Sequence, residues 1–169
     1  GITEELMPLL DPFGCHVTVL RRTDSAFPGA DATRTLAELH QVLAHADAVI
    51  LALSLTPETQ GVIGRAELAL MKDTAWIINV ARGGHIDHSA LVAALESRSI
   101  GGAALDVTEP EPLPDGHPFW TLPNCLITPH VANTPEMGLE LLAKRVTQNV
   151  ERYLAGQELL GPVDTHAGY

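Results

Sequence analysis

The chain has 169 residues, enough for one domain or for one domain with an appendage. Hydrophobic residues make up 46% of it, which suffices for a core, yet no apolar run approaches the roughly 20 residues of a membrane-spanning helix. The formal net charge of −11 makes the chain a poor candidate for binding nucleic acid or an anionic membrane through its overall field. Because the N-terminus is acidic and lacks the basic start of a signal peptide, we expect a cytoplasmic protein.

Short apolar runs alternate with helical patterns in the first half of the chain, an order typical of parallel βαβ units. A helix is predicted at residues 2–10, a strand at 16–20 and a second helix at 36–44. Residues 48–53 are all apolar, which predicts a strand buried within a parallel sheet. The Thr-Pro-Glu sequence at 56–58 then predicts a helix start, because Thr is a good N-cap and Pro fits the first turn.

The second half of the chain continues this alternation. Asp87 is expected to cap a helix, and the Thr-Pro-Glu sequence at 134–136 is expected to open a long helix that reaches about Tyr153. A loop-like tail follows Gly156, and three further strands are predicted at residues 75–80, 101–105 and 125–127. The whole pattern predicts an open α/β sheet, in which ligands bind beyond the carboxyl ends of the strands.

Polar side chains follow three of these strands. Arg82 comes after the first, Asp106 with Glu109 and Glu111 after the second, and His130 after the third. Arginine binds a carboxylate through two parallel hydrogen bonds, and histidine, kept charged by a neighbouring acid, is the natural proton donor near neutral pH. The spacing alone favours the plainer alternatives, which are a surface arginine, a structural histidine and solvated acids.

Four segments of the sequence resemble the signature of the D-isomer-specific 2-hydroxyacid dehydrogenases, and the resemblance covers nearly the whole chain. They are residues 55–63 followed by Met71-Lys72, residues 78–87 (Ile-Asn-Val-Ala-Arg-Gly-Gly-His-Ile-Asp), residues 102–112 and residues 122–130. The resemblance implies a Rossmann-type, doubly wound parallel sheet. It also implies an NAD(P)-binding domain like that of glyoxylate and hydroxypyruvate reductases.

The resemblance implies a role for each candidate catalytic residue. Arg82 would hold the substrate carboxylate, and His130 would donate a proton to the carbonyl oxygen as hydride arrives from the nicotinamide. Glu111 would pair with His130 and keep it protonated, because the family spacing selects it over Glu109. Asp106 would hydrogen-bond the nicotinamide carboxamide.

The resemblance also implies a set of cofactor-binding residues. Gly1 and Ile2 correspond to the end of the glycine-rich phosphate turn, and Ser54 stands where the family usually has proline. Arg21 occupies the strand-end position that carries an aspartate in NAD-specific members, so a 2′-phosphate is favoured, and NADP(H) is expected rather than NAD(H). The full set is Gly1, Ile2, Arg21, Arg22, Leu53, Ser54, Thr59, Val80, Ala81, Arg82 and Asp106.

The expected function is reduction of a small 2-oxo acid such as glyoxylate or hydroxypyruvate to the 2-hydroxy acid. The alternative is a dinucleotide-sensing binding protein like the corepressors that share this fold, because those can keep the same Arg, Glu and His. A homodimer is expected, with Phe119 and Trp120 either at its interface or packed locally. No metal site and no disulfide are expected, since Cys15 and Cys125 lie in or beside apolar stretches and suit core packing.

The resemblance places the first strand of the sheet and most of the substrate domain outside these residues. We therefore expect residues 1–133 to be a partial dinucleotide-binding domain, and residues 134–169 to be a C-terminal helix and tail returning toward the substrate domain. Without the first strand a central sheet edge is exposed, and without the glycine loop the pyrophosphate loses much of its cradle. On their own the 169 residues are expected to bind cofactor poorly and to be inactive.

Overall fold

The computed structural model of the protein describes residues 1–163, without the side chains of residues 135 and 137. Helices and strands alternate along the chain, and short 3-10 turns link several of them. The helices are α1 (Ile2–Leu10), α2 (Leu39–Leu43), α3 (Arg65–Leu70), α4 (His88–Glu96) and α5 (Pro135–Leu154). The strands are β1 (Thr18–Arg21), β2 (Ala32–Thr35), β3 (Ala48–Leu51), β4 (Trp76–Asn79), β5 (Gly102–Leu105) and β6 (Cys125–Ile127).

All described strand pairs are parallel, as the alternation of strands and helices predicts. One sheet has the order β3-β4-β5-β6, and β1 pairs with β2 in a separate two-stranded sheet. In the larger sheet Ile77 of β4 lies opposite Ala103 of β5, and both are fully buried. The consecutive order of β3 to β6 places the carboxyl ends of four strands along one edge, where the sequence has its polar residues.

The core lies between the larger sheet and the helices that cross over it. Leu91 and Leu95 of α4 and Ile100 after it are at most 1% exposed. Asp87 caps α4 as predicted, since its carboxylate accepts a hydrogen bond from the Ala90 N–H at 3.0 Å. The predicted starts of α1 and α5 also agree with the structure, whereas the division of the chain at residue 133 stays a prediction.

A cleft of about 740 Å³ separates the two sheets and is lined by residues of α1, β1, α2 and β3. Along this cleft β3 has no strand paired to it on the side away from β4 among the described residues. The gap corrects the prediction of a fully buried strand at 48–53. The strand ends at Leu51, and Ile50 is 39% exposed, because β3 is paired only on its β4 side.

Two other predictions are wrong, and one strand was not predicted. The Thr-Pro-Glu sequence at 56–58 opens a single turn, which ends at Gly61 with φ +62°, and α3 begins only at Arg65. Cys15 is exposed rather than packed in the core, although Cys125 is half-buried, and burial raises the pKa of its thiol to about 11. Strand β2 was not predicted, because Ala-Thr-Arg-Thr lacks an apolar run.

The remaining features concern the end of the chain and its surface. Residues 157–163 contain no helix or strand, as predicted for the tail, and residues 164–169 lie outside the described part. No helix in the described part is long and apolar enough to cross a membrane. Phe119 is 1% exposed and packs locally, against His88 and His117, whereas Trp120 is 53% exposed.

Candidate active site

A cleft of about 480 Å³ opens at the carboxyl ends of β3 and β4. The start of α1 also reaches it through Ile2, and helix N-termini attract anions because their first N–H groups are unpaired. Its lining contains predicted cofactor residues from three separate parts of the sequence, together with Ala52 and Leu55. Those predicted residues are Ile2, Leu53, Ser54, Val80, Ala81 and Arg82.

The turn that presents Arg82 is shaped by a buried amide. Asn79 is the last residue of β4 and is 0% exposed. Its Nδ2 donates to the Arg82 carbonyl at 2.9 Å, and its Oδ1 accepts from the Ala81 N–H at 3.0 Å. Because both ends of the amide are used, the backbone from Asn79 to Arg82 has one arrangement, which leaves the Arg82 side chain exposed at the cleft.

Gly83 brings the Arg82 turn against the loop that follows β5. A Cβ atom built on Gly83 would lie 2.1 Å from the carbonyl carbon of Thr108 and 2.6 Å from the backbone nitrogen of Glu109. No side chain fits there, so glycine allows the two backbones to touch. The turn that carries Arg82 and the loop after β5, which carries Glu109 and Glu111 and is called the acidic loop below, are therefore in direct backbone contact.

The structure brings His130 and Glu111 together. Nδ1 of His130 lies 2.6 Å from Oε1 of Glu111, and both side chains are a little under half exposed. The hydrogen bond from His130 lowers the pKa of the Glu111 carboxyl. Since a carboxylate only accepts, Nδ1 carries the hydrogen, and Nε2 is the ring nitrogen left to act on a ligand. Glu109 does not take this place; its backbone N–H points to Nδ1 of His88 at 3.3 Å.

Asp106 holds the loop that carries His130. Its Oδ1 accepts from the Thr128 hydroxyl at 2.6 Å and from the Val131 N–H at 2.9 Å, and its Oδ2 accepts from the Ala132 N–H at 2.9 Å. Burial by itself raises the pKa of Asp106, but these hydrogen bonds outweigh it and lower the pKa. His130 sits inside this loop with φ +56°, a left-handed conformation that is strained for a residue with a Cβ.

The other predicted cofactor residues lie outside the lining of the cleft. The Thr59 hydroxyl donates to the Ser54 carbonyl at 2.7 Å, so Thr59 stabilises the backbone of a residue that lines the cleft. Gly1 precedes α1, and its carbonyl accepts from the Glu4 N–H. Arg21 ends β1, with its guanidinium 5.8 Å from the centre of the Phe27 ring, and the exposed Arg22 follows it.

Three further residues shape the site although none of them was predicted from the sequence to do so. Asn79, Gly83 and His85 all lie in or beside the motif that contains Arg82. Only Asn79 carries a local signal, as a polar residue that ends an apolar strand. The contacts of Gly83 and His85 are with segments more than 20 residues away, so the local sequence cannot reveal them. Among residues 1–163, no group of three His, Cys, Asp or Glu side chains is placed to hold a metal ion.

Known proteins are similar to this chain in sequence and fold. The family model for the NAD binding domain of D-isomer specific 2-hydroxyacid dehydrogenases matches residues 1–132. Glyoxylate/hydroxypyruvate reductase A of Yersinia enterocolitica is 34% identical over 95% of the chain and 50% of its own length. The chain spans about half the length of the curated relatives it matches, from 40% to 56%.

Two solved structures have the same fold. One is a D-isomer specific 2-hydroxyacid dehydrogenase from Xanthobacter autotrophicus in complex with NADPH and MES. It is 40% identical, its TM-score is 0.85, and the match covers 95% of this chain and 65% of that one. The other, an NADPH-dependent glyoxylate/hydroxypyruvate reductase from Sinorhizobium meliloti in complex with NADP and sulfate, is 32% identical, with a TM-score of 0.89 over 98% and 53%. These matches confirm the predicted Rossmann-type sheet, and the chain belongs to the D-isomer specific 2-hydroxyacid dehydrogenase family, of which it carries the NAD-binding domain.

Proposed function

We propose that the protein is an NADP(H)-dependent oxidoreductase that reduces a small 2-oxo acid, such as glyoxylate or hydroxypyruvate, to the 2-hydroxy acid. The observation that carries this proposal is the His130–Glu111 pair at 2.6 Å, because Glu111 belongs to the loop after β5, which packs on the turn of Arg82. A proton donor and a carboxylate-binding cation on adjoining loops are the two groups that reduction of a 2-oxo acid needs.

Each side chain has a separate task in this reaction. Arg82 binds the substrate carboxylate and orients the neighbouring carbonyl. His130 gives the proton on Nε2 to the carbonyl oxygen, and Glu111 stabilises the charged ring before that transfer. NADPH, when bound, supplies the hydride that reaches the carbonyl carbon. Asp106 acts through the backbone of the His130 loop. Its Oδ2 accepts only the Ala132 N–H in the described part of the chain, so this oxygen can also accept a hydrogen bond from the nicotinamide carboxamide.

The cleft suits the dinucleotide. The start of α1 at Ile2 supplies backbone N–H groups for a pyrophosphate, and Leu53 with Val80 provides apolar walls. Arg21 at the end of β1 supplies a guanidinium for a 2′-phosphate, which favours NADP(H) over NAD(H). Two related proteins were solved with NADPH or NADP, which supports the same choice.

A steady-state assay of the full-length protein tests the proposal. We expect glyoxylate or hydroxypyruvate to be reduced with NADPH, and KM for NADPH to be lower than KM for NADH. A clear preference for NADH would refute the choice of NADP(H). Tight cofactor binding without turnover of any acid in a panel of 2-oxo acids would refute the enzymatic function and favour a dinucleotide-sensing binding protein.

The proposal includes a homodimer in the cytoplasm, as is usual for the family. Trp120 is half exposed and its indole N–H donates to the Pro114 carbonyl at 3.0 Å, which fixes the ring at the surface. Such an aromatic side chain suits a protein interface. Light scattering of the full-length protein tests the assembly, and a monomeric mass would contradict it.

A further inference from the structure

His85 is a buried histidine next to the cleft. It is 0% exposed and ends the 3-10 turn Gly83–His85 that follows Arg82. Its Nε2 lies 3.0 Å from the carbonyl oxygen of Leu53, a residue 32 positions earlier that lines the cleft. A carbonyl only accepts, so Nε2 carries the hydrogen and donates it to the Leu53 carbonyl. The bond therefore links the turn after Arg82 to the segment that follows β3.

The environment of the ring favours its neutral form. Burial, and after it the positive charge of Arg82, lower the pKa of His85. Its Nδ1 is buried with no hydrogen-bond partner in the described part of the chain. An unpaired buried nitrogen is unfavourable, so a position that only needed filling would be served better by leucine. The feature that an apolar side chain lacks is the N–H that reaches Leu53.

The bond joins the two walls of the cleft. Leu53 and Ser54 form the wall beyond β3, and Arg82 stands on the wall beyond β4. Backbone bonds join the segment of His85 to residues 61–63, since Gly61 N–H donates to the Gly84 carbonyl at 2.8 Å and Ile63 N–H to the His85 carbonyl at 3.0 Å. At the strand ends, Val80 N–H donates to the Leu51 carbonyl at 3.4 Å. The His85 imidazole is thus a side-chain crosslink between the strand-end loops at the cleft itself.

We propose that His85 is a positioning residue, whose Nε2–H fixes the spacing between the Leu53–Ser54 wall and the Arg82 wall and so sets how tightly the dinucleotide binds beside Arg82. The proposal rests on the proposed function for the identity of the cofactor, but not on turnover. It predicts that what matters at this position is a hydrogen-bond donor at the place of Nε2.

The experiment compares two amides of different length in the full-length protein. In His85→Gln the amide NH₂ falls near the position of Nε2 and can still donate to Leu53, whereas in His85→Asn it falls near Nδ1 and cannot. His45, which is exposed, supplies the control His45→Gln. The readouts are Kd for NADPH, KM and kcat with glyoxylate, and the midpoint of thermal unfolding.

We expect His85→Gln and His45→Gln to keep the wild-type Kd within about twofold, and His85→Asn to raise Kd for NADPH about tenfold, the size of one lost hydrogen bond that leaves the part-buried Leu53 carbonyl unpaired. Equal Kd values in His85→Gln and His85→Asn would overturn the proposal. So would a fall in the unfolding midpoint of both variants with Kd unchanged, since a merely structural histidine predicts that result.

The tautomer gives a readout that needs neither a variant nor activity. Nitrogen NMR of the wild-type protein should show His85 with hydrogen on Nε2 and none on Nδ1, and the opposite tautomer would overturn the proposal. The two hypotheses fail differently. Absence of turnover with a His85-dependent Kd refutes only the enzymatic function, whereas normal turnover with a Kd indifferent to position 85 refutes only the positioning role.

Discussion

Replacing Gly83 by alanine tests whether the contact between two loops makes the site. The added Cβ would lie 2.1 Å from the Thr108 carbonyl carbon and 2.2 Å from its oxygen, where ordinary contacts begin at 3.4 Å. Both atoms belong to the backbone and cannot rotate away, so the Arg82 turn and the acidic loop must separate by about 1.3 Å. A displacement of about 1 Å costs roughly 100-fold in rate when it separates groups that act on one substrate.

We therefore expect Gly83→Ala to lower kcat/KM about 100-fold, and the strain of a tightly packed contact to lower the free energy of unfolding by about 1–3 kcal/mol. Steady-state kinetics with NADPH and glyoxylate measure the first effect, and urea unfolding measures the second. Circular dichroism checks that the variant is folded under the assay conditions.

The neighbouring glycine provides a matched control. A Cβ on Gly84 would meet only the Leu55 side chain, at 3.2 Å, and that side chain can move. Gly84→Ala should therefore change the free energy of unfolding by less than about 0.5 kcal/mol and leave most of the activity. If Gly83→Ala had wild-type kcat/KM and stability, or if both variants lost activity equally, the backbone contact would not be what assembles the site.

Three further predictions address the acid, the cofactor and the response to pH. Glu111→Gln should lower kcat/KM about 100-fold with Kd for NADPH unchanged, because His130 loses the charge that stabilises its protonated ring. Arg21→Asp should raise Kd for NADPH at least about tenfold relative to that for NADH, since a carboxylate would face the 2′-phosphate. The pKa of Asp106 is lowered in the folded protein, so its carboxylate stabilises the fold above the unfolded pKa of about 3.9, and this stabilisation is lost as pH falls through the folded pKa. Asp106→Asn should lack this acid-dependent part of the free energy of unfolding. Urea unfolding at a series of pH values measures it.

Each of these has an outcome that contradicts it. An unchanged kcat/KM in Glu111→Gln would show that His130 needs no charged partner. Equal losses of NADPH and NADH binding in Arg21→Asp would show that Arg21 does not select the cofactor. A wild-type dependence of unfolding on acid in Asp106→Asn would show that the hydrogen bonds around Asp106 do not hold its carboxylate in the charged form.

The elements whose signals are local can be predicted from the sequence. Alternating apolar runs predicted β4, β5 and β6, and the caps at Asp87 and at 134–136 predicted α4 and α5, because capping depends on residues a few positions apart. The placement of Arg82 and His130 after strands followed directly, since parallel strands share one carboxyl edge. The motifs around those residues predicted the family.

Features that depend on contacts between distant segments are visible only in the folded chain. The fold places Gly83 against Thr108 and His85 against Leu53, and it leaves Ile50 exposed in a run that local composition predicts to be buried. In the same way, the turn that begins at residues 56–58 ends at Gly61 and does not continue into a helix. The physical reason is the same in each case: the local sequence determines a segment's conformational preferences, but a loop's neighbours and a strand's partners come from elsewhere in the chain, and they decide which side chains meet and which face is buried.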